Sequence, residues 1–226
     1  MSVCAIHQPN FFPWLGYFNK MERADVFVFL DDVAYPKSGS GAGSFSNRVK
    51  VMLSNQPGWL GCPVKRESGS QKIKNVTIDE SKPWRKKALK SLMFNYIKTN
   101  NYNYIYPLLE ELIHYPTTNL CEFNINAITR VKNLLNIPCT LVKQSSLDVN
   151  GTSTELLINI TKSVGAKTYL CGNGARGYQD DEKILSSGLM LARQGYTPEA
   201  YHSHSEFIPG LSIIDFLMKS EEISLP

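Results

Sequence analysis

The sequence is short of several things that would declare a function outright. Histidine is scarce, at 4 in 226 residues, and no H-x-x-H or comparable spacing marks a metal site. The five cysteines, Cys4, Cys62, Cys121, Cys139 and Cys171, are odd in number and include no CxxC pair, which argues against a zinc ribbon or dithiol redox motif. No apolar run approaches the roughly 18 residues that span a bilayer. Pro9 and Asn10 interrupt the opening apolar stretch too early for a secretory leader. These absences predict a cytoplasmic protein with reduced thiols and no membrane insertion. Charge of either sign is modest: 24 basic and 20 acidic residues leave +4, which suits an anionic ligand without identifying one. The densest basic run, KPWRKKALK from Lys82 to Lys90, reads as the solvated start of a helix, with phosphate contact as the alternative.

What is present is the material of an ordinary globular protein, 42% hydrophobic and rich in Tyr and Phe. Val3 to Ile6 is a short apolar strand and DVFVFL (25–30) a second. Between them Leu15, Phe18 and Met21 recur at helical spacing. That is a βαβ unit, and parallel strands follow from it. Strands are expected over 47–54 and 59–64 with a turn at 55–58, over 73–78 and 139–143, over 167–171, and at the edge over 197–201. Helices are expected over 84–97, 104–114, 120–135, 153–164, 184–194 and 212–220. The fold class is therefore α/β: one domain over 1–226 with a mostly parallel, Rossmann-like sheet flanked by helices. Pro36 to Ser46 is Gly/Ser-rich, either a lid after the second strand or a tolerated surface insertion.

Four clusters could carry chemistry. His7, Asn10, Trp14 and Tyr17 follow the first strand within a Pro/Gly-stiffened turn, and His7 is a candidate general base because imidazole titrates near pH 6.5. Asp31 and Asp32 end the second strand, where one could fix the His7 tautomer or simply cap a turn; Tyr35 and Lys37 follow. Asn47, Arg48 and Lys50 come next, with Arg48 and Lys50 on one strand face as paired cations for phosphate or carboxylate. Gly172, Gly174, Tyr178 and Asp180 lie in CGNGARGYQDD, directly after a strand, where unpaired backbone N–H groups could cradle an anion. That turn has neither a P-loop lysine nor the dinucleotide glycine spacing. His202 and His204 are expected at the surface.

In their order along the chain these clusters resemble the WbqC-like family. The matching segments are AIHQPNFFPWLGYFNKMERADVFVFLDDVAY (5–35), Asn47–Arg48, WLGCPV (59–64), YLCGNGARGYQDD (169–181) and FIPGLSIIDFL (207–217). Cys171 departs from the serine expected there. The resemblance implies work on O-antigen and related surface polysaccharides. It further implies, by association with those pathways, transfer of an acyl or aminoacyl group such as glycyl to the amine of a nucleotide-linked 4-amino-4,6-dideoxy sugar. On that reading His7 is the base oriented by Asp31 or Asp32. Asn10 or the Gly172–Gly174 backbone receives the oxyanion, and Arg48 and Lys50 hold the diphosphate. Trp14 or Tyr178 stacks on a base or sugar. Asp180, Tyr17, Asn47 and Lys37 complete the site. No cofactor is required with certainty; the acyl donor is an activated aminoacyl group, such as an aminoacyl-tRNA, or a free amino acid with ATP. An ATP-dependent ligase or nucleotidyltransferase, and a non-enzymatic sugar-nucleotide binding protein, are the alternatives.

Overall fold

The computed structural model describes residues 2–36, 45–65, 67, 69–172, 174, 179–202 and 207–225. The chain divides into two compact units built from interleaved stretches: Met1–Gln8, Gly16–Asp32 and Asn136–Thr197 in one, Pro9–Leu15, Val33–Leu135 and Pro198–Pro226 in the other.

The first unit holds a five-stranded, wholly parallel sheet. Its strands are β1 (Val3–His7), β2 (Val26–Phe29), β5 (Thr140–Lys143), β6 (Thr168–Cys171) and β7 (Met190–Arg193). They lie in the order β5-β2-β1-β6-β7, so counted along the chain they run 3-2-1-4-5, the doubly wound arrangement. Burial explains their composition. The central β6 is buried at every residue, while the edge strands β5 and β7 alternate between exposed and half-buried positions. Helix α1 (Leu15–Glu22) joins β1 to β2, and α5 (Ser153–Ser163) and α6 (Asp181–Ser186) pack beside β6 and β7.

The expected α/β class and parallel sheet are present; two local readings are not. A helix over 184–194 and an edge strand over 197–201 give way to α6, a turn at Gly188 with φ +85°, and β7. The left-handed glycine ends the helix. Residues 190–193 (MLAR) then become a strand although none is β-branched, because β6 offers them a ladder.

The second unit contains the antiparallel hairpin β3 (Arg48–Leu53) and β4 (Gln56–Gly61), with helices α2 (Trp84–Tyr96), α3 (Tyr102–Ile113), α4 (Leu120–Leu134) and α7 (Ile213–Lys219). The hairpin turn falls at Ser54–Asn55, not 55–58. Both residues have positive φ, +50° and +64°, as a two-residue type I′ turn requires. The expected strand over 73–78 is a 3-10 turn at Ile73–Asn75 followed by isolated bridges, because Ile73, Val76 and Ile78 all point into the core.

Much of the opening motif is consumed in building this unit. Phe11 stacks on Phe123 at 5.8 Å, edge-on to Phe12 and Trp84, and buried Asn124 donates to the Pro9 and Ser46 carbonyls. Ser212 donates from its hydroxyl to Phe12 O, and Ile213 N to Pro13 O. Residues 9–15 and 207–217 are thus two halves of one packing interaction. Among the described residues no helix is long and apolar enough to cross a membrane.

Candidate functional site

Every strand of the parallel sheet points the same way, so the residues after each strand gather at one edge. At the strand-order reversal β1 and β6 are neighbours, the position at whose carboxyl ends doubly wound sheets bind their ligands. The register pairs Ala5 with Leu170, and continuing it brings His7 level with Gly172. His7 and Gly172 therefore lie at the same edge of the sheet.

His7 is half-buried. Its Nδ1 lies 3.1 Å from the Gln8 carbonyl oxygen. A carbonyl only accepts, so Nδ1 carries the hydrogen and Nε2 the lone pair. The ring is steadied by Tyr17, 4.8 Å away edge-on, whose hydroxyl donates to the same Gln8 oxygen at 3.0 Å. Tyr17 is itself a core residue at 2% exposure, which makes it a support for His7 and not a ligand contact. Burial, with the Lys20 ammonium as second cause, lowers the His7 pKa from 6.5 to about 4. The imidazole is neutral at pH 7.

Lys20 lies beneath this edge and has no counterpart in the sequence reading. Only 4% exposed, it donates to the Ile6 carbonyl at 2.9 Å. Burial pulls its pKa from 10.5 to about 8, opposed by the nearby Cys171 and Cys4 thiols. The signal that could have found it is its position: Lys20 sits on the helical stripe of Tyr17 and Ala24, both buried.

The aspartates have other work. Asp31, at 1% exposure, accepts from Ser145 N at 2.9 Å and Ser145 Oγ at 2.6 Å, clasping the ends of β2 and β5. Orientation of His7 falls to the Gln8 carbonyl instead. The Asp32 backbone N–H donates to Gln144 Oε1 at 3.3 Å. Asp180 caps α6 by accepting from Lys183 N at 3.0 Å. Gly172 is different: a Cβ there would meet only Gln194 Oε1, at 3.9 Å. Packing among the described residues does not demand a glycine at this position. Gly174 is exposed; Lys37, Tyr178 and most of the Gly/Ser-rich loop lie outside the described residues. Gln194, at the end of β7, fastens that strand to α1 through Gly16 O at 2.6 Å and Asn19 Oδ1 at 3.0 Å.

The remaining candidates belong to the other unit. Asn47 closes the open end of the hairpin, donating to Cys62 O at 3.0 Å and accepting from Tyr35 at 2.8 Å. Arg48 lies over the Trp59 ring at 4.3 Å and Lys50 at 5.6 Å, so the two cations do share one strand face, with an indole between them. Asn10 is half-buried, and Trp14 forms an isolated bridge with Ser212. His202 is buried against Tyr201 and Phe207, contrary to the surface position expected. Among the described residues no group of three His, Cys, Asp or Glu side chains could hold a metal.

The model of the WbqC-like protein family matches residues 8–225. The chain belongs to that family. A WbqC-like relative, an uncharacterized protein of Mycobacterium tuberculosis, is 27% identical over 226 residues, covering 96% of this chain and 93% of its own length. No solved structure matches. The family match begins at Gln8, so it takes in the Gln8 carbonyl and Tyr17 and stops one residue short of His7.

Proposed function

We propose that this WbqC-like protein is a cytoplasmic N-acyl- or aminoacyltransferase. It forms an amide on the amine of a nucleotide-linked 4-amino-4,6-dideoxy sugar during surface-polysaccharide assembly. The pathway and sugar class come from the family resemblance. The observation that carries the chemistry is the neutral His7, its tautomer fixed with Nε2 as proton acceptor, at the same sheet edge as Gly172 beside the switch point.

In the proposed reaction the sugar amine attacks the carbonyl carbon of an activated acyl ester. The C–N bond forms, the ester C–O bond breaks, and His7 Nε2 relays the amine proton to the departing oxygen. An imidazole held near pKa 4 is a weak base in the empty site. Burial is the larger cause of that lowering and Lys20 the second; the negative charge of a bound diphosphate would act against both and raise the His7 pKa. Backbone N–H groups after β6 would receive the oxyanion. In the other unit, Arg48 and Lys50 share one hairpin face and are a separate candidate for phosphate contact.

A second reading draws on the strand order, which in doubly wound folds accommodates nucleotides across the same crevice. It makes the protein an ATP-dependent ligase or nucleotidyltransferase. Mass analysis of dTDP- and UDP-linked amino sugars after incubation with candidate acyl donors separates the two. An acylated sugar formed without ATP supports transfer, and ATP-dependent amide formation supports ligation. RNase sensitivity would identify a charged tRNA donor. His7→Ala should abolish turnover while keeping nucleotide-sugar affinity. An unmodified sugar under every donor condition removes the transferase reading.

A further inference from the structure

Outside the parallel sheet, the second unit carries a groove of about 950 Å³ between the hairpin turn and α2. Lys87, Lys90 and Lys98 line it together with Phe94, Asn55 and Asn95. No acidic residue is among its lining residues, and no ion pair of Lys87, Lys90 or Lys98 is seen among the described residues. Phe94 is 67% exposed, with the Lys90 ammonium 5.6 Å from its ring centre. The wall is built rather than incidental: Asn95 Oδ1 accepts from the turn residue Ser54 N at 2.7 Å, and its Nδ2 donates to Ser91 O at 2.7 Å. That pair of bonds locks turn to helix and keeps the groove open.

We infer that this groove binds single-stranded nucleic acid, with Phe94 stacking on a base and the three lysines meeting successive phosphates. The length supports a polymer. Eleven residues separate Lys87 from Lys98, about 16 Å at helical rise, longer than one diphosphate can bridge. The combination of a cationic track and a sequence-tolerant aromatic platform is how unspecific single-strand sites are made. A membrane surface fits less well. Surface-seeking helices need a broad exposed apolar face. Here the apolar residues Ala88, Leu89, Leu92 and Tyr96 are buried, leaving only Phe94 and Ile97 outside. The inference does not depend on the acyl-transfer reading.

Fluorescence anisotropy of labelled 12-mer RNA and DNA of mixed sequence tests it on the full chain. Three phosphate contacts predict a slope of log K against log salt near −2, at roughly −0.7 per contact. Phe94→Ala, on an exposed side chain, should weaken binding about five-fold or more with little change in slope. Lys90→Gln should lower the slope magnitude by about 0.7, whereas Lys162→Gln, an exposed lysine outside the groove, should change neither. No binding at 50 mM salt would overturn the inference. So would equal, Phe94-independent affinity for heparin or polyglutamate, which would reduce the groove to a general polyanion patch. Phe94-dependent binding to phosphatidylserine vesicles in place of the oligonucleotides would reassign it to a membrane surface.

Discussion

Replacing Lys20 with methionine should stabilise this protein at neutral pH, and the gain should vanish in alkali. Lys20 is buried at 4% exposure and donates to the Ile6 carbonyl at 2.9 Å. Its pKa falls from 10.5 to about 8 because burial disfavours the ammonium. A lowered lysine pKa means the folded protein binds the proton less tightly than the unfolded chain. Stability therefore rises as pH climbs from about 8 to 10.5, and below 8 the burden is present in full. That displacement corresponds to about 3 kcal/mol. Methionine removes the titration but also leaves the Ile6 carbonyl without its donor, a loss of about 1 kcal/mol. Lys20→Met should then be about 2 kcal/mol more stable than the native protein at pH 7 and about 1 kcal/mol less stable above pH 10.5. Urea unfolding followed by tryptophan fluorescence at both pH values reads the difference. A variant that is less stable at pH 7, by an amount that does not change with pH, would show the ammonium to be a net favourable cross-link and refute the reasoning. A charge kept at such a disadvantage is expected where function needs it.

Three further outcomes follow from the same geometry. His7, lowered to about 4 from 6.5, makes the folded state release a proton that the unfolded chain keeps. Stability should fall by up to about 3 kcal/mol as pH drops from 6.5 to 4, and His7→Gln should flatten that slope in chemical denaturation. Asp31→Ala removes the acceptor of Ser145 N–H and hydroxyl, donors on an exposed residue that water can reach, so a loss of about 1–2 kcal/mol is expected in urea melts, and no measurable change would mean the clasp is immaterial. Asp215, fully buried, accepts from Tyr96 at 2.7 Å and Tyr201 at 2.6 Å and pairs with Lys219 at 2.9 Å. Asp215→Ala leaves those donors unmatched and should lower stability by about 3–5 kcal/mol, read as a shift in urea midpoint at unchanged m-value.

Hydrophobic runs and helical spacing were enough to read β1, β2, β6 and the three long helices, because each buries a periodic or continuous apolar set. The strand order was not readable, since nothing local to β6 says that it pairs with β1. Residues 190–193 looked helical because their propensity is helical; only pairing with β6 makes them a strand. At the site, His7 and Gly172 were visible as polar punctuation at strand ends. Lys20, Asn124 and Asp215 were not, because a charged or amide side chain on a helix reads as solvent-facing until its partner is known. Asp31 shows a related effect: a carboxylate beside a histidine in the sequence order of strands can be spent on the opposite neighbour, here Ser145.

The proposed function requires the rim between β1 and β6 to receive an anionic substrate beside His7. Nitrogen-15 NMR titration of the His7 imidazole, with and without a dTDP- or UDP-linked amino sugar, addresses it directly. The expected result is a pKa near 4 in the free protein that moves toward neutrality with the nucleotide sugar bound. Saturation with ligand that leaves the His7 titration unmoved would put the substrate elsewhere and contradict the account.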